Sequence, residues 1–196
     1  MSNTENYKKG KLVIFSAPSG SGKTTLLRYV ITQLPQLSFS VSATSRPPRP
    51  GEKNGYDYYF ITVDEFKQKI KENAFVEWEE VYHNQYYGSL RSEVEKIRER
   101  GNSVAFDVDV IGGLNIKKMY GNEALSVFVR PPSIAVLEKR LRHRSTESEE
   151  SIRQRLDRAA YELTFEKHFD KVLVNGDLEK AHKEALALVR DFIDKD

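Results

Sequence analysis

Apolar positions along this chain follow two periods that alternate. Leu12-Val13-Ile14-Phe15 is an unbroken apolar run and predicts a buried strand. Leu26, Leu27, Val30, Ile31 and Leu34 then recur at helical spacing, which puts one apolar stripe on a helix stopped by Pro35. Short strands are predicted at 39–41 and in the aromatic run 56–61. Asp64 is placed to cap a helix containing Phe66 and Ile70, with Asn73 at its end. Residues 74–82 have strand character, and 83–85 form a turn. Ser89 or Ser92 starts a charged helix that runs to about Arg100 and is closed by Gly101. Residues 103–107 form an apolar strand, and Gly112-Gly113 open a short helix. Residues 124–129 form another strand, and Ile134, Leu137 and Leu141 mark the next helix. Residues 147–166 are charged and helical, and 171–175 form a last strand. Leu178, Ala181, Ala185, Leu188 and Phe192 give the final helix its apolar face.

Core strands separated by helices indicate an α/β fold with a parallel sheet flanked by helices. Two regions break the rhythm. Residues 38–90 are aromatic and strand-rich, and 144–168 are charged and helical. Both read as insertions at the ligand edge of the sheet. The expected division is a core of 11–37, 91–143 and 169–194, a mixed-strand insertion at 38–90, a helical lid at 144–168 and a flexible leader at 1–10.

Between the first strand and the first helix lies Ser16-Ala17-Pro18-Ser19-Gly20-Ser21-Gly22-Lys23-Thr24-Thr25. A strand, a Gly-rich turn ending in Gly-Lys-Thr and a helix make a phosphate-binding loop, a P-loop NTPase core. Small residues let successive backbone N–H groups face phosphate oxygens, and the helix N-terminus adds more. Lys23 brings a cation to the β/γ-phosphates, and the Thr24 hydroxyl can ligate Mg²⁺. The strict pattern begins with Gly where this chain has Ala17, which asks for φ < 0 or mild strain there.

Composition narrows the class. The chain has 196 residues, enough for one large domain or a core with insertions. Net charge is only +2, which argues against bulk nucleic-acid binding. The absence of cysteine removes disulfides, thiolate metal sites and cysteine nucleophiles. No apolar h-region opens the chain and no run approaches the roughly 20 residues of a membrane span, so the expectation is a cytoplasmic enzyme.

A phosphate loop alone does not separate kinases from other NTPases. Asp107 ends an apolar strand, as a Mg²⁺-holding acid does, although a solvent-exposed strand-end acid has the same pattern. Asp109 lies two residues on, which would put both carboxylates on one face. Arg140 and Arg144 share a helix face, with Arg153 and Arg155 just beyond. They suit a mobile cationic lid, and by charge pattern alone a solvated helix pair equally well. Arg46 and Arg49 sit on a stiff Pro-rich loop, near Tyr58 and Tyr87. They suit a second phosphate, and by spacing alone a surface loop as well.

The segments 39–52, 55–60, 75–78, 86–89 and 107–109 resemble the signature of the guanylate kinase family. Residues 144–147 with 151–156 resemble its lid, and 174–178 its last strand. The likeness runs from about 11 to 193, in order. It implies phosphorylation of GMP, and of dGMP, by Mg-ATP to give GDP and ADP in purine nucleotide metabolism. The resemblance places Ala17, Pro18, Ser19, Gly20, Ser21, Gly22, Lys23, Thr24 and Thr25 on the ATP phosphates, with Mg²⁺ on Thr24 and Asp107. It puts Arg140, Arg144 and Arg155 on the donor phosphates and Asn175 near the adenine. Arg46, Arg49, Tyr58 and Tyr87 fall on positions that bind the GMP phosphate. Ser42, Glu77, Gly88, Ser89 and Asp109 fall on positions around guanine. Lys23, Arg46, Arg140, Arg144 and Arg155 are the implied catalytic set. In Val110-Ile111-Gly112-Gly113, Ile111 stands where the family commonly has Gln, which leaves the local hydrogen bonding open. Partners are expected to be small molecules, with no nucleic acid or membrane, in a monomer or small homo-oligomer. A kinase of the same fold with another acceptor, such as a ribose bisphosphate, and a phosphopeptide-binding scaffold module are the rival readings. Ser42 and Glu77 weigh against the first, and intact Lys23 and Thr24 against the second.

Overall fold

A computed structural model describes residues 9–144 and 148–195. Nine strands and seven α-helices follow the chain: β1 Leu12–Ser16, α1 Lys23–Gln33, β2 Leu37–Phe39, β3 Ser42–Thr44, β4 Tyr59–Phe60, α2 Val63–Lys71, β5 Phe75–Tyr82, β6 Gln85–Leu90 and α3 Arg91–Glu99. Then come β7 Ser103–Val108, α4 Val110–Tyr120, β8 Ala124–Arg130, α5 Ile134–Arg144, α6 Glu149–Leu163, β9 Lys171–Val174 and α7 Leu178–Asp194. These counts are of the described residues. The described residues divide into two compact units: residues 9–11 with Gln36–Val104, and Leu12–Pro35 with the described residues from Ala105 onward.

The larger sheet has the order β2-β7-β1-β8-β9, and β1–β8 and β8–β9 pair in parallel. β1 is buried along its whole length, as its unbroken apolar run requires. Helices cover this sheet. α4 lies against β1 and β8, and α1 against α7. Gly113 of α4 sits so close to β1 that an added Cβ would lie 2.2 Å from Ser16 Oγ and 3.2 Å from Ile14 Cγ2. α5 and α6 pack through Leu137, Leu141, Leu156 and Ala159.

The smaller sheet has the order β4-β3-β6-β5 and is mixed: β3–β4 is parallel, while β3–β6 and β6–β5 are antiparallel. One face carries Ala43 and Tyr86, which pack with Phe75 on Phe66 of α2. The ring of Phe66 stacks on Phe75 at 4.3 Å, and each buried ring contributes about 1.5–3 kcal/mol. A register shift between Phe75 and Glu77 lets Phe75 turn inward while Glu77 joins the opposite face.

Several local expectations are corrected. The strand expected at 39–41 is displaced into β2 and β3, so Ser42–Thr44 is strand and the Pro-rich loop starts after it. The strand expected at 56–61 shrinks to Tyr59–Phe60. Asp57 accepts from Lys53 N at 2.7 Å and Gly55 takes φ 76°, so the preceding residues turn. Thr62, not Asp64, caps α2, because Thr62 and Glu65 form a reciprocal capping box. Neither Ser89 nor Ser92 caps α3; its N-cap is Leu90, without a side-chain bond, and Ser89 is in β6. Asp109 caps α4 by accepting from Gly112 N at 2.8 Å, so the glycines fall in the first turn of an 11-residue helix. Asp109 therefore lies beyond β7, and the strand alternation expected to align it with Asp107 does not reach it. The helix expected over 147–166 spans Glu149–Leu163 with Ser148 as its cap.

Candidate active site

The phosphate loop joins β1 to α1 in the second unit. Gly20 and Gly22 take φ 90° and 88°, the left-handed region that glycine tolerates. Ala17 is buried and is not among the described non-glycine residues with positive φ, so the feared strain does not arise. The loop rests on α5: a Cβ on Gly20 would lie 2.9 Å from Leu141 Cδ2. The Ser16 hydroxyl at the end of β1 donates to Asp109 O at 2.9 Å, which ties the loop's entrance to the start of α4.

Lys23 Nζ ion-pairs with Asp107 Oδ1 and donates to Val108 O at 3.0 Å. The Thr24 hydroxyl donates to Asp107 Oδ2. A cation, a hydroxyl and a carboxylate thus meet at the mouth of the loop. Thr24 and Asp107 offer two hard oxygens, the ligand type Mg²⁺ takes, and such sites leave the remaining positions to water and substrate phosphate. Among the described residues no group of three or more His, Cys, Asp or Glu is placed to hold a metal ion.

Cations gather round the same loop. Arg155 of α6 donates to Ser19 Oγ at 2.6 Å. Arg140 of α5 donates to Ser21 O at 3.3 Å and to Asn175 O at 2.9 Å. Arg144 ends α5; its side chain and residues 145–147 lie outside the described residues. Asn175, expected near the adenine, is 4% exposed, and its amide donates to Ser21 O at 2.8 Å. Sequence reasoning missed Glu162 of α6, which is buried and accepts from Arg158 Nε at 2.9 Å. Burial pushes its carboxyl above the usual range, against the pull of Arg158.

The first unit carries a second constellation. Ser42 of β3 pairs in register with Ser89 of β6, and Ser89 with Glu77 of β5. The three residues form one row across three strands. Ser89 Oγ donates to Glu77 Oε1 at 2.7 Å. Two positions along, Thr44 pairs with Tyr87, so Tyr87 shares the face of Ser89. Gly88 between them belongs to the opposite face, where a Cβ would lie 3.0 Å from Trp78 Cβ and 2.9 Å from Phe75 Cδ1.

Arg46 leads away from this row. Its Nε donates to the Tyr87 hydroxyl at 3.0 Å, and its guanidinium lies 5.1 Å from the Tyr58 ring centre. Glu52 receives Nη1 and Nη2 at 2.7 Å each, and also accepts from Arg49 N at 2.7 Å. Sequence reasoning had this glutamate only as part of a motif. Its position three residues after Arg49 in a Pro-Gly turn was the available signal. Arg49 itself is exposed. Hydrogen bonding from Arg46, then from Arg49 N, holds the Glu52 carboxyl at about 2, against an ordinary 4.5, and Glu52 in turn raises Arg46. A carboxyl lowered in the folded state stabilises above its unfolded pKa and loses that contribution as pH falls through the folded one. We therefore expect Glu52→Gln to lower Tm at pH 7, with the gap to the parent closing between pH 4.5 and 2. Thermal melts of both proteins across that range check this; a gap independent of pH would remove the pair's role.

Comparison with known proteins places this arrangement. A family profile for guanylate kinase matches residues 9–193. The chain is 54% identical over 187 residues to a guanylate kinase of Bacteroides thetaiotaomicron, covering 95% of this chain and 92% of the relative. It is 48% identical over 186 residues to a guanylate kinase of Porphyromonas gingivalis, covering 94% and 99%. The crystal structure of guanylate kinase from Anaplasma phagocytophilum superposes with a TM-score of 0.73 at 29% identity, over 96% of this chain and 88% of that one. With a phosphate loop built in one unit, an arginine–tyrosine grip beside a serine–glutamate row in the other, and these likenesses along nearly its whole length, the chain belongs to the guanylate kinase family of nucleoside monophosphate kinases.

Proposed function

We propose that this chain transfers the γ-phosphoryl group of Mg-ATP to GMP, and to dGMP, giving GDP or dGDP and ADP. The observation that carries the reading is the Ser42–Ser89–Glu77 row on the same sheet face as Tyr87, which holds Arg46. A carboxylate in that row can accept from guanine N1–H and its 2-amino group. Adenine presents an acceptor at N1 and no 2-amino group, so it would leave the carboxylate unpaired. Gly88 contributes by keeping β6 close to β5, since a Cβ there would lie 2.9 Å from Glu77 O.

Arg46, Arg49, Tyr58 and Tyr87 hold the acceptor phosphate. That phosphate oxygen is already an anionic nucleophile, so in-line attack needs no strong general base and no covalent enzyme intermediate. The loop N–H groups from Ala17 to Thr25, with Lys23, orient the donor phosphates. Arg140, Arg144 and Arg155 provide further positive charge on the donor side, where charge spreads over the transferring oxygens. Mg²⁺, held through Thr24 and Asp107, neutralises charge on the donor phosphates when bound. Among the described residues no helix is long and apolar enough to cross a membrane. We place the enzyme in the cytoplasm, in purine nucleotide metabolism, as a monomer or small homo-oligomer acting on small molecules, not nucleic acid.

Isothermal titration separates this reading from a non-catalytic binding module. ATP is expected to bind the protein, more tightly with Mg²⁺, and GMP to bind with AMP giving no comparable heat. Absence of ATP binding, or equal binding of AMP and GMP, would overturn it.

A further inference from the structure

The carbonyl of Ser21 in the phosphate loop accepts two side-chain hydrogen bonds. Asn175 Nδ2 donates to it at 2.8 Å and Arg140 Nη1 at 3.3 Å. Arg140 Nη2 also donates to Asn175 O at 2.9 Å, and Asn175 N donates to Arg130 O at 2.8 Å at the end of β8. The backbone of Asn175 is thus held from the sheet and from α5 together, which sets the amide on Ser21 O. It presses on the loop itself: a Cβ on Gly22 would lie 2.3 Å from Asn175 Nδ2. Only glycine permits this approach, and only glycine readily takes the φ of 88° found there.

A trans peptide is planar, so its C=O and N–H point in opposite directions. No described peptide bond is cis. Two donors that pull the Ser21 carbonyl to one side therefore aim the Gly22 N–H to the other. In a phosphate loop that N–H is one of those facing the nucleotide. If the 21–22 peptide turned over, a carbonyl oxygen would face the phosphates in place of a donor.

The geometry points to Asn175 as a positioning residue for the donor site: with Arg140 it pins the Ser21 carbonyl and so presents the Gly22 N–H to the ATP phosphates. This rests on the proposed reading of the loop as the ATP site. It differs from the adenine contact that the family resemblance implies, because the observed partner of the amide is the loop backbone.

Asn175→Asp is isosteric and, ionised, cannot donate to Ser21 O; Asn175→Ala removes the group. Both variants are compared with the parent by circular dichroism, by kinetics with Mg-ATP and GMP, and by the ¹H–¹⁵N resonance of Gly22 during ATP titration. The KM for ATP is expected to rise at least tenfold in both variants, with the KM for GMP changed less than twofold. The Gly22 amide is expected to move strongly downfield on ATP binding in the parent and much less in the variants. If Asn175→Ala fails to fold, Asn175→Asp decides alone. A full Gly22 shift with an unchanged KM for ATP in a folded variant overturns the proposal, and so do equal losses for both substrates. A parent that binds ATP without moving Gly22 also overturns it. A parent that does not bind ATP fails the functional reading instead.

Discussion

Lys23→Ala is expected to lower kcat by about 10³-fold, the scale of losing one pre-positioned electrostatic group at a reacting centre. Lys23 is held for its task. Its ammonium is fixed between the Asp107 carboxylate and Val108 O, at the end of the buried strand β7. Removing it takes away a cation and leaves Asp107 with no ammonium to oppose its charge beside bound phosphates. The fold should persist, because α1 is anchored through Leu26, Leu27 and Val30, which stay buried. Steady-state ADP formation by the purified variant, with its circular dichroism and Tm, checks both halves. Near-normal turnover in a folded Lys23→Ala protein would remove the loop from catalysis.

Glu77→Gln is the second large effect, and it concerns selectivity. In the proposed site the carboxylate receives two guanine donors while Ser89 Oγ already donates to Oε1 at 2.7 Å. A glutamine amide offers one acceptor and turns an NH₂ toward a guanine donor. A site built to hydrogen-bond such groups discriminates by roughly 10⁴ against an analogue lacking them. The variant is expected to lose about 10²-fold in kcat/KM for GMP and most of its preference over AMP, since a charge-assisted pair is replaced by a mismatched neutral one. The kcat/KM ratio for the two acceptors, measured in parent and variant, reads this directly. An unchanged ratio would place guanine recognition elsewhere.

Legibility in the sequence followed how local each cause is. β1 and the phosphate loop were readable because burial and phosphate binding each demand particular residues at adjacent positions. The apolar face of α7 was readable only in part: Ala181 and Ala185 are buried as expected, but the buried Val189 was not among the expected positions and Leu178 is exposed. Helix starts were less legible, because several polar residues compete for each cap. Thr62 outdid Asp64 only through its reciprocal bond with Glu65, and Asp109, expected to share a strand face with Asp107, instead caps α4 through its bond from Gly112 N. The aromatic run 56–61 mimics a strand, but the turn closed by Asp57 and Gly55 uses up most of it.

Partnerships across long separations were not legible at all. Nothing in the local sequence says that the amide of Asn175 is spent on Ser21 O, 154 residues away. The row of Ser42, Ser89 and Glu77 depends on strand register and on a bulge after Phe75, neither of which periodicity reports. Glu52 is the middle case. It lies close in sequence to both arginines, yet its fork on Arg46 emerges only when the turn is folded.

The most direct test of the account is the acceptor specificity of the parent protein with Mg-ATP. GMP, dGMP, AMP, UMP, CMP and ribose 1,5-bisphosphate are compared by kcat/KM for ADP formation, with the phosphorylated product identified. GMP is predicted to lead, with dGMP next and AMP lower by roughly 10⁴. A non-guanine acceptor with kcat/KM equal to or above that of GMP would contradict the account.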